Sequence, residues 1–242
     1  MEGKAMVSVG AYHLVIEKMH FAKLGNALSV ALKAARWMGA EANIFWLRDS
    51  VFAATPYAFV GLTNLDLELR PERITKDSPD SFAISRFAAK RLVGELLSQR
   101  AHHLIRIRLV WHRDGVLFKF DYEPESKVDR PALESCYTGS WLPRLTPREY
   151  YERLIDSPLY VECELSIKSM LEKMQSNERS GYITFEEVSE TVPTISVSRS
   201  LLLAFLHAAK GVGNDMFRLS CHGKERAIAC RAGDVIAVLA AV

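Results

Sequence analysis

Residues 194–211, "TISVSRSLLLAFLHAAKG", change their hydrophobic period in the middle. Ile195 and Val197 alternate with polar neighbours, as in a half-buried strand, whereas Leu202 and Phe205 belong to an apolar series at helical spacing. The stretch therefore predicts a strand that runs directly into an amphipathic helix through a Ser-Arg pair.

The same strand-to-helix order occurs about four times along the chain. Residues 82–99, "FAISRFAAKRLVGELLSQ", again pass through Ser-Arg into a helix with an apolar stripe. The first copy joins "YHLVIEKM" to "HFAKLGNALSVALKAARW", and the third joins "LYVECELS" to a helix with an apolar series from Ile167 to Met174. Apolar β-prone runs follow each helix, although the third is followed only by "SGYITFEEVSE". We expect four strand-helix-meander modules, the third of them shortened.

Three local signals predict where elements begin and end. Ser198 is the expected N-cap of the last helix, and Gly211 is the expected left-handed residue after it. Asp114-Gly115 predicts a two-residue turn between two strands of the second module.

The patterns together predict an α+β fold, in which helices cover one face of antiparallel sheets and leave the other face free. Residues 124–158 are rich in proline and break both periodicities, so we expect them to connect two domains, 1–123 and 159–242. Within the connector, "TPREYYERLI" predicts a short helix with Thr146 as N-cap and Pro147 at its first position.

Composition limits the classes of protein that fit. The chain has 242 residues, of which 49% are hydrophobic and 25% are charged, which suits two globular domains. Its net charge of +2 excludes a polycation, so any nucleic-acid surface must be a local one. The four cysteines form no C-x-x-C pair, and neither a membrane span nor a signal peptide is evident. We expect an intracellular, cytoplasmic protein with reduced thiols.

Each of the four module helices is predicted to expose more cations than anions, with Glu95 and Glu172 as the acidic exceptions. A charged solvent face is common in helices that bind nothing, so one helix alone does not decide between the two interpretations. Because the excess recurs in a nearly neutral chain, we expect a surface that contacts DNA phosphates without reading sequence. The candidate DNA-binding residues are Lys23, Lys33, Arg36, Arg86, Lys90, Arg91, Lys168, Lys173, Arg199 and Lys210.

The modules carry a family resemblance. The closing run "ISVSRSLLLAFLHAAKGVGNDMFRLSCHGKERAIACRAGDVIAVLAAV" resembles the final module of DNA sliding clamps, the ring-shaped processivity factors of DNA polymerases. The run "LVIEKMHFAKLGNALSVALKAARWMGAEANIFWLRDSVFAAT" is similar to the opening module of that family. Two domains per chain resemble the proliferating cell nuclear antigen type, whereas the modules themselves are closer to the bacterial kind.

The resemblance implies a ring in which sheets lie outside and helices line a hole that holds double-stranded DNA. Copies of the chain would join head to tail, and six domains would close as a trimer. A DNA polymerase and a clamp loader would bind through short peptides. The resemblance also implies a bacterial or phage-encoded protein that is not an enzyme and needs no cofactor or metal.

The sequence offers little for catalysis. His102-His103 would point to opposite faces of a strand, and no further metal ligand lies at a suitable spacing. Cys221 and Cys230 flank a predicted hairpin near His222, where buried thiols are a simpler interpretation than a zinc site. No nucleotide-binding, nucleophile-elbow or zinc-protease motif occurs. The alternatives are a non-enzymatic protein-interaction or regulatory module and an enzyme whose site no motif marks.

Overall fold

The computed structural model describes residues 13–40, 42–47, 50–65, 70–73, 81–97, 102–112, 115–123, 133–136, 147–156, 159–176, 181–185, 195–222 and 227–240. The helices in these ranges are α1 (Phe21–Met38), α2 (Arg86–Leu97), α3 (Pro147–Ile155), α4 (Ile167–Ser176) and α5 (Arg199–Gly211). The strands of the first half are β1 (His13–Glu17), β2 (Asn43–Leu47), β3 (Ser50–Thr55), β4 (Ala58–Leu62), β5 (Arg70–Arg73), β6 (Ser81–Ile84), β7 (Leu104–His112) and β8 (Gly115–Tyr122). Those of the second half are β9 (Leu133–Cys136), β10 (Leu159–Ser166), β11 (Tyr182–Phe185), β12 (Ile195–Ser198), β13 (Met216–His222), β14 (Ala227–Ala232) and β15 (Val235–Ala240).

The described strands form three antiparallel sheets. One has eight strands in the order β10-β13-β14-β15-β4-β3-β2-β6, a second has the order β5-β1-β7-β8-β9, and β11 pairs with β12. The predicted α+β class with antiparallel sheets is therefore confirmed, and so are the four strand-to-helix units that the hydrophobic periods indicated.

The modules exchange their first strands in pairs. The strand before α1, β1, pairs with β7 of the second module, while β6 before α2 pairs with β2 of the first. In the second half, β10 pairs with β13 and β12 pairs with β11 in the same reciprocal way. The pairing of β4 with β15 then joins the two halves in one continuous sheet. The domain limits of 1–123 and 159–242 remain a prediction.

Four helices share one core on the inner face of the large sheet. Leu28 of α1, Leu92 of α2, Met174 of α4 and Phe205 of α5 are each 0% exposed and belong to the same cluster. Alternate residues of the strands meet these side chains from the sheet, as period-two burial requires. The opposite faces of α1, α2, α4 and α5 are left to solvent.

The outer face of the large sheet is covered where its two halves meet. Tyr151 and Leu154 of α3 pack on Ala229, Ile236 and Val238 of β14 and β15. The expectation that this sheet face stays free is wrong at this place, because a connector helix lies on it. The short helix predicted within the connector is confirmed, whereas its expected N-cap, Thr146, lies outside the described residues.

The structure differs in part from the predicted helix caps. Ser85 caps α2, since its Oγ accepts a hydrogen bond of 3.1 Å from the Ala88 backbone N–H. Ser198 occupies the equivalent place before α5 but makes no side-chain capping bond. Gly211 is the last residue of α5, and the left-handed residue is Gly213, with a φ of 84°.

The hairpin of the second module differs from its prediction at Gly115. Gly115 is the first residue of β8 and pairs with His112 at the end of β7. It therefore belongs to the strand, so the expectation that Gly115 is a turn residue is wrong, and Asp114 lies outside the described residues.

Candidate nucleic-acid interface

The helices on the inner face form a row in the order α2, α1, α5, α4. Gly25 near the start of α1 permits the contact with the end of α2, because a side chain there would come within 2.8 Å of Leu97 Cδ2. At the other side of α1, its last turns meet the last turns of α5, where Trp37 lies against His207. The solvent-facing sides of neighbouring helices are therefore next to one another.

The two central helices carry cations and no acids. Neither α1 nor α5 contains an Asp or a Glu. Lys23, Lys33 and Arg36 of α1 and Lys210 of α5 are all exposed. The middle of the row is therefore electropositive whatever the net charge of the chain.

On α2, the single acidic residue, Glu95, does not lie on the exposed face. Glu95 is only 8% exposed, and its Oε2 accepts a hydrogen bond of 3.1 Å from the Tyr122 hydroxyl of β8. Lys90 remains exposed and Arg91 is half-buried. The exposed charge of this helix is thus more positive than its sequence indicates.

On α4, an acid stays at the surface. Lys168 and Lys173 are exposed, and Glu172 lies between them, with its Oε1 at 4.0 Å from Lys168 Nζ. An exposed pair of this kind contributes about 0.5 kcal/mol or less and is screened by salt. This end of the row is less electropositive than the centre.

Two of the candidate arginines are engaged inside the fold. Arg86, the first residue of α2, donates hydrogen bonds to the carbonyls of Gly39 and Ala42, which follow α1. Arg199, the first residue of α5, donates through Nη2 to the carbonyl of Met174 near the end of α4, at 3.1 Å. The repeated Ser-Arg pair thus ties the start of one helix to the end of the helix of the preceding module.

A cleft of about 380 Å³ opens where α1 and α5 meet. The rings of Trp37 and His207 are stacked there, with centroids 4.7 Å apart and planes only 2° from parallel. Burial, and then the nearby charges of Lys210, Arg36 and Lys33, hold the pKa of His207 below its usual value. Sequence reasoning missed Trp37, which lies one residue before the end of α1 and is 39% exposed.

The residues considered for catalysis do not come together. His102 and His103 form a short turn before β7, so the expectation that they lie in a strand is wrong. His103 Nδ1 is 3.2 Å from Glu123 Oε2, and both side chains are largely exposed. Among the described residues, no three His, Cys, Asp or Glu side chains are grouped as a metal site.

The cysteines near the last hairpin are core residues. Cys221 pairs with Ile228 and Cys230 with Leu219, so the two thiols are not directly opposite each other. Both are buried, and burial raises the pKa of each thiol, most strongly that of Cys230. Such thiols are poor nucleophiles and poor metal ligands at neutral pH.

The similarity to known proteins is structural. No protein-family model matches the chain, and no curated protein matches its sequence. The β clamp of Helicobacter pylori, solved with a DNA ligase peptide, superposes with a TM-score of 0.59 at 10% identity and covers 100% of this chain and 68% of that one. The protein has the fold of a DNA sliding clamp.

Other bacterial clamps agree with this assignment. The DNA polymerase sliding clamp of Pseudomonas aeruginosa, solved with a ligand, gives a TM-score of 0.59 at 12% identity and covers 100% of this chain and 67% of that chain. The DNA polymerase III β subunit of Thermotoga maritima gives 0.55 at 12% identity, with 96% of this chain and 64% of that chain covered. The chain thus has the clamp fold over about two thirds of the length of these proteins. The resemblance that the repeated modules carry is confirmed for the fold.

No helix in the described ranges combines the length and the apolar character that crossing a bilayer requires.

Proposed function

We propose that the protein is a sliding clamp that encircles duplex DNA and tethers a replicative polymerase in the bacterial cytoplasm. The row of helices α2, α1, α5 and α4 would face the DNA, and the sheets would lie outside. The protein would act without chemistry of its own, as a processivity factor with neither cofactor nor metal.

The observation that carries the proposal is the charge of the helix row. The two central helices lack acids altogether, and the one acid of α2 is buried against Tyr122. Phosphate contacts of exposed Lys and Arg side chains supply affinity that does not depend on base sequence, which a ring needs in order to slide. The exposed candidates for these contacts are Lys23, Lys33, Arg36, Lys90, Lys168, Lys173 and Lys210.

The junction inside the chain suggests how copies would join. Within the chain, β4 ends the first meander, β15 ends the fourth, and their pairing continues one sheet across both halves. In the second module the corresponding strand is β9, which lies at the edge of its sheet, whereas in the third module β11 pairs with β12 as β2 pairs with β6 and so corresponds to the first strand of a meander. Pairing of β9 of one copy with the third module of the next copy would repeat the junction head to tail, and three copies would supply six domains.

The proposed protein partners are a DNA polymerase and a clamp loader that carry short clamp-binding peptides. The Helicobacter pylori clamp was solved with a peptide of DNA ligase, which supports peptide recognition as the mode of contact.

A charge reversal on the helix row tests the DNA contact. We expect Lys23→Glu together with Lys90→Glu to weaken binding to a random-sequence duplex and to flatten the dependence of log K on log salt by about 2. Both side chains are exposed. Binding is measured by fluorescence anisotropy over a range of salt concentrations.

The matched control reverses two cations on the outer side of the sheets. Lys119 of β8 and Arg218 of β13 are exposed and alternate with the buried Phe118 and Phe217. Lys119→Glu with Arg218→Glu changes the net charge equally and should leave duplex binding close to that of the wild type. Equal losses in both double variants would contradict a DNA-facing helix row and would favour the interaction-module alternative.

A further inference from the structure

The cleft between α1 and α5 combines a stacked pair of aromatic rings with several cations. It is lined by Lys33, Arg36, Trp37, His207, Lys210 and Gly211. The indole of Trp37 and the imidazole of His207 already form a parallel stack, and the indole keeps 39% of its surface exposed. The exposed part of the indole is the surface on which a third flat ring would stack.

Three cations surround the two rings. Lys33 lies one helical turn before Trp37, and its Nζ is placed over Gly211, where a Cβ would come within 2.5 Å of it. Arg36 and Lys210 border the cleft from the two helices, and none of the six lining residues is acidic. Burial, and then the same cations, hold the pKa of His207 below its usual value, which disfavours the charged imidazole.

A flat aromatic platform within a ring of cations matches the chemistry of an unpaired nucleotide. The base stacks on the aromatic ring, and the phosphates on either side meet Lys or Arg. A base inside a duplex has both faces covered by its neighbours and cannot stack on a protein side chain. A site of this kind would discriminate between single-stranded and double-stranded DNA, whereas exposed lysines alone would not.

We propose that Trp37 and His207 form a stacking site for an unpaired base of single-stranded DNA, with Lys33, Arg36 and Lys210 holding the flanking phosphates. This inference rests on the proposed function, because the cleft belongs to the helix row that would face DNA. In a ring, such a site would engage the single-stranded template beside a primer end and would favour that position over uninterrupted duplex.

The test compares a short oligo-dT strand with a duplex of the same length. Trp37→Leu is expected to lower affinity for oligo-dT about tenfold and to leave duplex affinity within about twofold of the wild type. Trp37→Phe, which keeps a ring, should restore most of the oligo-dT binding. Tyr57→Leu is the control, since Tyr57 is an aromatic residue that is 69% exposed in the turn between β3 and β4, away from the helix row.

Circular dichroism verifies that each variant is folded before binding is measured. Unchanged oligo-dT affinity in Trp37→Leu would overturn the stacking site, and so would an equal loss of oligo-dT and duplex binding. Poly-glutamate serves as a probe for an acidic protein partner. If Trp37→Leu loses poly-glutamate binding but keeps oligo-dT binding, the stacking site is wrong and the cleft binds an acidic protein instead. If Lys23→Glu with Lys90→Glu weakens duplex binding while Trp37→Leu keeps its oligo-dT affinity, the clamp proposal stands and the stacking site does not. The reverse pattern would leave the stacking site standing without the clamp.

Discussion

At the scale of single residues, His207 links the cleft to pH. Burial and the charges of Lys210, Arg36 and Lys33 disfavour its protonation, so its pKa lies below about 6.5 in the free protein. A phosphate bound among these cations would offset their repulsion and raise that pKa. Binding of oligo-dT would then take up a proton, and affinity should increase as pH falls from 7.5 to 5.5.

The stability of the fold should change in the opposite direction to the oligo-dT affinity, because it should decrease as pH falls. The unfolded chain protonates His207 near its ordinary pKa, whereas the folded chain resists protonation, so stability present above pH 6.5 is lost as pH falls towards the depressed pKa. In His207→Gln, the gain in oligo-dT affinity at low pH and this part of the stability loss should both disappear. Anisotropy titrations and urea midpoints at pH 7.5 and 5.5 measure the two effects. A pH dependence identical in wild type and variant would show that His207 does not titrate in this range.

The Ser-Arg pair shows which features a local sequence pattern can predict and which it cannot. The change of hydrophobic period located both helices that follow it, because periodicity depends only on neighbouring residues. The predicted excess of cations on the exposed helix faces placed Arg86 and Arg199 among the candidate DNA contacts. The structure shows them donating to carbonyls at the end of the preceding helix, a contact that sequence alone cannot reveal. Trp37 was missed for a related reason, because its partner His207 is 170 positions away.

At the scale of elements, β4 joins the two halves and depends on a glycine. Gly61 lies opposite Phe52 on one side and Ile236 of β15 on the other. A Cβ at this position would lie 2.2 Å from Phe52 Cβ and 2.6 Å from Phe52 Cα, so the strand backbone would have to move. We expect Gly61→Ala to lower the free energy of unfolding by about 3 kcal/mol.

The matched control is Gly94→Ala in α2. Nothing lies within 4 Å of a Cβ at Gly94, and alanine is a better helix former by about 0.8 kcal/mol, so this change should stabilise slightly. Urea denaturation of both variants makes the comparison. A loss below about 1 kcal/mol in Gly61→Ala would mean that β3 and β4 can separate without cost, and β4 would then be a weak junction.

The last strand of the closing module shows that a hydrophobic pattern predicts burial but not which element covers the strand. The run "VIAVLA" of β15 is apolar at every position and therefore predicts a strand that is buried on both faces. Val235, Ala237 and Leu239 do face the helices, but the cover of Ile236 and Val238 is α3 from the connector. Helix α3 was predicted, but its place was not, because its packing depends on a contact between residues far apart in sequence.

At the scale of the whole molecule, the clamp fold suggests that several copies of the chain close into a ring. Head-to-tail pairing of β9 with the third module of the next copy, closed at six domains, would make the oligomer a trimer of the 27.2 kDa chain. The resemblance to clamps could be recognised from the order of modules, because each module repeats the same local pattern. The strand exchange between modules was not foreseen, since pairing of β1 with β7 joins segments about ninety residues apart.

A closed ring makes a topological prediction that ordinary DNA binding does not. At 1 M salt the screening length is about 3 Å, so phosphate contacts no longer hold a protein on DNA. A ring assembled on a nicked circular plasmid at low salt should nevertheless elute with the plasmid in gel filtration at 1 M salt. It should leave once a restriction enzyme linearises the plasmid, because the free ends let the ring slide off. Release from circular and linear plasmid alike would contradict encirclement, even if the lysines of the helix row bind phosphate as proposed.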